Sequence, residues 1–186
     1  MAIICNLNRN LLKTTSCGYM LNEIVDLYLI NYDDIPASGF TVTEGTGTSE
    51  GCDEITAIDL GSNKAYQVTP AKNTGSFEDT LVVNDSDGSK YRNASISFTV
   101  NGAYNACMHG SLDSLALGRY CVIVKTASGD YIAFGRLSPL EATTATLAGS
   151  SDSNGIQVVL AGNIAESPLP LSADAIEDLL SFVPTT

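Results

Sequence analysis

One cysteine and the chain's single histidine are close enough in sequence to suggest nucleophilic chemistry. Cys107 precedes His109 by two residues, and a thiol beside an imidazole is the pair with which cysteine hydrolases attack a carbonyl carbon. Such near neighbours seldom direct their side chains at one another, and no G-x-S-x-G turn accompanies them. One histidine without clustered thiols also falls short of a zinc site. The sequence favours structural roles for both, and a Cys–His hydrolase is the last-ranked alternative.

Paired carboxylates and a glycine-rich segment are the other patterns that could carry chemistry. Asp33-Asp34 follows a strand pattern and Glu177-Asp178 lies on a polar helix face, where solvated charge is the ordinary explanation. Residues 43–53, TEGTGTSEGCD, contain a G-x-G without the third glycine or the helix of a dinucleotide site, so they predict a flexible loop. The sequence predicts no catalytic residue, no metal site and no cofactor, and hence no enzyme.

Composition restricts the kinds of partner. Nine basic residues stand against 21 acidic ones, which gives a net charge of −12, and no basic cluster exists for binding nucleic acid through counterion release. Charged residues make up 16% of the chain, below the roughly 25% of an ordinary soluble domain. This deficit favours a β-rich protein whose surface is partly covered by partners. No run of 18 apolar residues exists, so no membrane span is expected.

The five cysteines show no spacing of a known framework. They are Cys5, Cys17, Cys52, Cys107 and Cys121. Their number is odd and no C-x-x-C pair occurs, which favours reduced thiols in an intracellular protein. Pairing of Cys5 with Cys17 stays open. The first residues place their apolar stretch before their charges, the reverse of an export signal.

Two apolar strand patterns are the strongest structural features. Residues 22–32 predict a long strand with Val25, Leu27 and Leu29 on one face and Ile24, Tyr28 and Ile30 on the other. Residues 118–137, GRYCVIVKTASGDYIAFGRL, predict a hairpin that turns at Ser128-Gly129-Asp130. Apolar residues on both faces predict burial on two sides. We expect copies of the same chain to cover much of this hairpin.

Two helices complete the predicted elements. Ser111 is expected to cap a short helix over SLDSLAL, and Gly118 to end it in a left-handed conformation. Ser172 is expected to cap a second helix, ADAIEDLLSFV. One face of the second helix, the predicted oligomer interface, carries Ile176, Leu179, Leu180 and Val183.

About eight or nine strands with regular turns predict a mainly β fold, a sandwich or a barrel. It is expected to span residues 1–171 with a flexible loop at 43–53, followed by a helical extension at 172–186.

The order of these elements resembles the tail-tube-like proteins of tailed bacteriophages and prophages of gut bacteria. The resemblance rests on CGYMLNEIVDLYLINYDDI near the start, on YRNASISFTV, SLDSLALG and RYCVIVKTASGDYIAFG in the second half, and on the close LAGSSDSNGIQVVLAGNIAESPLPL. It covers most of residues 17–171, and each part is a pattern of residue types rather than an invariant motif. The helix at 173–183 lies beyond it.

The resemblance implies a fold and a function. Tail-tube modules are β-sandwiches or barrels with a flanking helix that form sixfold rings, and the sheets of neighbouring subunits join to line a lumen for DNA. It implies a virion tail protein, assembled in the host cytoplasm, that contacts other tail, neck or baseplate proteins and lets DNA pass without sequence-specific binding. A head, neck or decoration component of a virion, or a non-catalytic surface binding module, is the alternative.

Overall fold

The computed structural model describes residues 23–46, 52–83, 88–101, 108–149 and 154–184. Strands dominate this part of the chain, which confirms the mainly β prediction. The strands are β1 (Ile24–Asn31), β2 (Phe40–Thr43), β3 (Glu54–Ile58), β4 (Ala65–Val68), β5 (Ser76–Val83), β6 (Lys90–Val100), β7 (Arg119–Thr126), β8 (Tyr131–Phe134), β9 (Leu140–Gly149), β10 (Asn154–Ile164) and β11 (Leu169–Pro170). The helices are α1 (Met108–Leu117) and α2 (Ala173–Ser181), and a 3-10 turn spans Tyr32–Asp34.

Nine strands form one antiparallel sheet that folds back on itself. One half has the order β4-β1-β7-β8-β11 and the other the order β9-β10-β6-β5. The halves join where Arg119 and Tyr120 of β7 pair with Glu141 and Leu140 of β9. The strands β2 and β3 form a separate two-stranded sheet. Among the described residues, three strands of the large sheet have a single strand partner and are therefore its edges: β4, β5 and β11.

The first core lies between the two halves of the large sheet. Phe77 of β5 contacts Phe134 of β8, with ring centroids 5.5 Å apart. Leu112 and Leu115 of α1 pack against the same cluster. Its buried members come from both halves and include Leu27, Leu29, Ile96, Phe98, Val122, Val124, Leu140, Val158 and Leu160. Burial of these side chains against each other stabilises the fold of the sheet.

A second core covers the opposite face of β1 and β7. Tyr28 and Ile30 of β1 and Ile123 of β7 contribute to it, and β2–β3 and α2 pack over them. The molecule thus has three layers: one half of the sheet, the other half, and an outer layer of hairpin and helix. The alternation of side chains along a strand explains this, because successive residues of β7 point into different cores.

The two-sided burial of β1 and β7 is therefore supplied within one chain. Residues 120–124 of β7 are all buried. The expectation that copies of the chain cover this hairpin is wrong for β7, because β2–β3, α2 and the facing half of the sheet cover its faces. The predicted turn at Ser128-Gly129-Asp130 is confirmed, with Gly129 at a φ of 95°.

A β-bulge in β1 makes the predicted assignment of its side chains to two faces partly wrong. The register with β7 shifts between Ile24 and Asp26, so Val25 is exposed and Ile24 joins the first core beside Leu27 and Leu29. An extra residue in one strand shifts the alternation, so that the side chains before the bulge lie on the opposite face from the one that regular alternation predicts. The placement of Ile24 beside Tyr28 was wrong for this reason.

The ends of α1 also differ from expectation. The helix begins at Met108, so Ser111 lies within it and does not cap it. It ends before Gly118, as predicted, and the Gly118 N–H donates to the Ser114 carbonyl at 3.0 Å. Gly118 is not left-handed. A glycine is required there because a Cβ would collide with the Tyr120 ring.

The helix α2 is attached to the fold by its backbone as well as by its apolar face. Ser172 caps it as predicted, since its hydroxyl accepts from the Ala175 N–H at 3.3 Å. The Ser172 N–H donates to the Ile55 carbonyl at 2.9 Å, and Asp178 accepts from the Ile58 N–H at 3.1 Å. These bonds join α2 to β3 on the second core.

Candidate subunit interface

The four predicted interface residues occupy different environments; three lie in α2, and Val183 lies just after the helix, which ends at Ser181. Leu179 is 0% exposed in the second core, and Ile176 and Val183 are half-buried against it. Leu180 is 46% exposed. The structure brings three of the four onto the chain's own core, and Leu180 is the one directly available to another molecule. A role of this helix between subunits stays a prediction.

A more apolar surface lies at the far end of the β5–β6 hairpin. Leu81 is 55% exposed, and Val83 and Tyr91 are exposed as well. Leu81 pairs with Arg92 and Val83 with Lys90, so these two apolar residues share a face with the two cations. Further along, the same face carries Phe77 and enters the first core. We call Leu81, Val83, Lys90 and Tyr91 the hairpin end.

An ion pair separates the hairpin end from the core. Arg92 lies 3.0 Å from Asp79, and both side chains are largely buried. Burial raises the pKa of Asp79, while the Arg92 charge opposes that rise. One oxygen of Asp79 and the Nε of Arg92 have no hydrogen-bond partner. Buried polar atoms are usually hydrogen-bonded, so these two unpaired atoms weaken the packing at this edge of the first core.

A large hollow lies between α1 and the edge strand β4. Its volume is 790 Å³, within the range of roughly 300–1,000 Å³ that holds ligands or side chains. We call it the α1–β4 pocket. Its lining consists of Leu29, Asn31, Tyr66, Val68, Gly110, Ser111, Ser114, Leu115 and Tyr120. Aliphatic and aromatic groups predominate among these residues.

Several polar groups of the α1–β4 pocket already have partners. The Tyr120 hydroxyl donates to the Ser114 carbonyl at 2.5 Å, and the Ser114 hydroxyl donates to the Gly110 carbonyl at 2.8 Å. Asn31 donates to Asp34 at 3.1 Å. With these groups occupied, the pocket is suited to an apolar occupant. Tyr66, which lines the pocket, is half exposed.

The buried carboxylate of Glu166 is paired within the chain. Arg136 donates to both oxygens of buried Glu166, at 3.1 and 2.6 Å. Nearby Cys121 is fully buried, and burial raises the pKa of its thiol to about 12. A thiol held protonated is a poor nucleophile. Cys121 therefore acts as a small apolar residue, as its strand position predicts.

Asp26 joins three strands through its carboxylate. It accepts from Gln67 at 3.0 Å and from Thr69 at 2.8 Å, and Lys125 lies 3.7 Å away. Gln67 lies on β4 and Thr69 follows it, while Lys125 lies on β7. Because its partners surround it, this buried carboxylate fixes the edge strand β4 to the sheet.

Asp53 lies beside a smaller hollow. Its Oδ1 accepts from the Gly45 N–H at 3.2 Å, while its Oδ2 is enclosed without a partner. The hollow has a volume of 460 Å³ and is also lined by Cys52, Glu54 and residues 167–170. Within the described part of the chain, no three His, Cys, Asp or Glu side chains group as metal ligands.

The candidate catalytic residues are only partly within the described structure. Cys107 lies outside it, as do Cys5, Cys17 and residues 47–51 of the glycine-rich loop. His109 belongs to α1, and the position of its side chain is not described. Asp33 forms an ion pair with Arg119, and Asp178 accepts from the backbone of β3. In each of the two pairs, Asp33-Asp34 and Glu177-Asp178, one carboxylate therefore binds a group of the chain's own fold.

Comparison with known proteins identifies no relative. Neither the family models nor the curated proteins nor the solved structures include a match to this chain. None of the helices in the described ranges is long and apolar enough to span a membrane.

Proposed function

We propose that this chain is a structural subunit that assembles with its own copies into a closed ring, which forms the tail tube or a tail ring of a tailed bacteriophage. The sequence resemblance supplies the virion context. The hairpin end supports the proposal of self-assembly, because it combines exposed apolar side chains with the edge strand β5, which pairs with β6 on one side only among the described residues.

An exposed edge beside apolar side chains favours association. Within the described ranges, strand β5 has one row of backbone N–H and C=O groups without a strand partner, and such a row pairs readily with another chain. Full burial of a Leu or Val contributes about 1.5–3 kcal/mol. Leu81 and Val83 still expose half of their surface, so covering both is expected to contribute about 1.5–3 kcal/mol together.

The charges support a lumen that does not retain DNA. Of the seven cations among the described residues, four lie in ion pairs with carboxylates (Arg92, Arg119, Lys125 and Arg136), and the others, Lys64, Lys72 and Lys90, are scattered singly along the sequence. Phosphate binding requires cations that are free to replace counterions. With a net charge of −12, repulsion acts within a Debye length of about 8 Å at physiological salt. We infer that DNA passes such a ring without adhering.

The alternative is a head, neck or decoration component, or a non-catalytic surface binding module. One observation favours it: the chain covers both faces of β7 by itself, so its central strands need no partner. Such a module is expected to remain monomeric or to bind a different protein.

Oligomeric state tests the proposal. Light scattering after size exclusion and negative-stain images of the full chain are expected to show rings or short tubes. Leu81→Asp is expected to raise the protein concentration needed for assembly at least tenfold. Leu137→Asp is the matched control, because Leu137 is 51% exposed but lies outside the hairpin end. A wild-type chain that is monomeric at the highest attainable concentration refutes the proposal and favours the surface module.

A further inference from the structure

We propose that residues 1–22 dock, through Arg9 and Lys13, on an acidic surface that the β2–β3 hairpin, β11 and α2 of the same molecule form. This inference goes beyond the proposed function, because it assigns a binding surface and its occupant within one subunit. It does not depend on assembly into a ring.

The outer layer of the molecule is acidic throughout. Residues 35–46, 52–60 and 165–184 contain the β2–β3 hairpin, β11 and α2, and they include no Lys or Arg. We call their surface the acidic layer. Its eight carboxylates belong to Glu44, Asp53, Glu54, Asp59, Glu166, Asp174, Glu177 and Asp178. Like charges crowded in one layer repel each other, so the layer favours a cationic occupant.

Cations of the neighbouring elements leave most of this charge uncompensated. Arg136 pairs with Glu166, which leaves seven carboxylates of the layer. Lys125 of β7 is engaged with Asp26 of β1. Lys64 is exposed at the margin of the layer, in the turn before β4. The charges on the surrounding elements therefore do not reverse the sign of the layer.

Asp53 indicates where a cation is missing. Its side chain is buried, with the residue 4% exposed, and it lines the 460 Å³ hollow together with Glu54. Within the described residues, its Oδ2 has no hydrogen-bond donor. An unpaired buried carboxylate is costly, and a cation beside it offsets this cost. Residues 47–51, which come just before this hollow in the sequence, contain one Glu and no Lys or Arg.

The segment 1–22 has the charge that the acidic layer lacks. Seven of the nine basic residues of the chain lie in the described ranges, and the other two are Arg9 and Lys13. No Asp or Glu occurs before Glu23, so residues 1–22 have a net charge of +2. Residues 23–186 carry seven basic and 21 acidic residues, which gives −14. Opposite charges on two surfaces favour and orient their contact.

The segment joins the sheet close to the acidic layer. Ile24 pairs with Thr126 of β7, whose N–H donates to the Asp130 carbonyl just before β8 at 2.9 Å. The Leu171 N–H donates to the Tyr131 carbonyl at 3.0 Å, just before α2 begins. Neighbouring strands are about 4.8 Å apart, so three steps from β1 through β7 and β8 to β11 place Ile24 about 15 Å from the start of α2. About five extended residues cover that distance.

Lys13 has enough chain to reach any carboxylate of α2. It precedes Ile24 by eleven residues, which span about 35 Å when extended. The nine residues of α2 extend about 14 Å. A short tether gives the segment an effective concentration in the millimolar range at its own surface. In dilute solution the segment of the same molecule therefore occupies the layer before that of another copy.

Zero-length crosslinking tests this contact in the full chain, at a concentration low enough for it to be monomeric. A carbodiimide joins an ammonium to a carboxylate that it touches, and mass spectrometry after digestion locates the bond. Lys13 is expected to couple to Glu54, Asp174 or Glu177. Mixing chains labelled with light and heavy nitrogen shows whether the bond lies within one molecule.

Trypsin gives a second measurement, because it cleaves after Arg9 and Lys13 themselves. The neutral-layer variant combines Glu54→Gln, Asp174→Asn and Glu177→Gln. It is expected to be cleaved at the two sites about fivefold faster than wild type, in keeping with the modest strength of exposed ion pairs. Asp178 stays unchanged because it accepts from the backbone of β3.

The matched control removes the same number of charges outside the acidic layer. It combines Glu78→Gln, Asp113→Asn and Glu141→Gln, three exposed carboxylates on β5, α1 and β9. Its cleavage after Arg9 and Lys13 is expected to match wild type. High salt is expected to accelerate cleavage of wild type and of the control, and not of the neutral-layer variant, because salt screens contacts between exposed charges.

The outcomes separate this inference from the proposed function. Equal cleavage of the neutral-layer and control variants, with Lys13 coupled as often to carboxylates outside the layer, overturns the docking and leaves self-assembly standing. Bonds that join only light to heavy chains overturn docking within one molecule. Bonds from Lys13 to the layer within single molecules of a chain that never assembles support the docking and refute the ring.

Discussion

The contrast between Leu179 and Leu180 tests whether α2 belongs to the subunit or to the interface. These neighbouring leucines have the same helix propensity, but Leu179 is 0% exposed and Leu180 is 46% exposed. Replacing a fully buried Leu by Ala removes transfer energy and leaves a cavity, at a cost of about 2–5 kcal/mol. The same change at an exposed position usually costs less than about 0.5 kcal/mol.

Urea unfolding followed by circular dichroism measures this difference. With a denaturant slope of about 2 kcal/mol per molar urea and a loss of about 3 kcal/mol, Leu179→Ala is expected to lower the midpoint by about 1.5 M. Leu180→Ala is expected to shift it by less than about 0.25 M. The protein must be dilute enough to be monomeric, because association adds apparent stability.

One result would refute the reasoning about α2. If Leu179→Ala shifts the midpoint no more than Leu180→Ala, while subunit association is lost, the helix serves the interface and not the second core. Truncation after Ser172 extends the test, since the bonds of α2 to β3 lead us to expect loss of subunit stability and not of assembly alone.

Three further changes are expected to affect stability. Glu166→Gln leaves the Arg136 charge buried beside a neutral amide and is expected to cost about 3 kcal/mol in urea unfolding; unchanged stability would contradict a structural pair. Gly155→Ala places a Cβ against the Val100 carbonyl at a φ of 125° and is expected to cost more than about 1 kcal/mol; a midpoint equal to wild type would count against this backbone conformation. Burial raises the pKa of Tyr28 above its usual 10.0, because the folded state favours the neutral phenol. The resulting contribution to the free energy of unfolding is fully present below pH 10 and is lost as the pH rises further. Tyr28→Phe is expected to flatten the alkaline loss of stability, and an equally steep loss would exclude Tyr28 as its source.

The sequence is sufficient to predict most of the strands and the second helix, while β2 and β11 were not predicted. The strand predicted within residues 22–32, the Ser172 cap and the Ser128-Gly129-Asp130 turn are local features, and each is confirmed. Local patterns decide such features because they depend on neighbouring residues.

The layers depend on contacts far apart in sequence and were not predictable from local patterns. An apolar strand face has the same sequence whether a neighbouring copy or the chain's own helix covers it, and α2 and β2–β3 cover β7 here. The bulge at Val25 leaves no trace in alternation that distinguishes it from a regular strand. The α1–β4 pocket combines residues of four distant segments, and no local pattern connects them.

The central position of β7 determines when the chain can fold during synthesis. Leu27 in β1 pairs with Val68 of β4 on one side and with Val124 of β7 on the other, and Val124 comes almost a hundred residues later. Until the ribosome has released β7, the apolar side chains of β1 lack the strand that shields them. Folding is slow because the entropy of so long a loop is lost before the contacts between β1 and β7 can form. During this interval chaperones or other copies of the chain can bind the exposed apolar residues of β1.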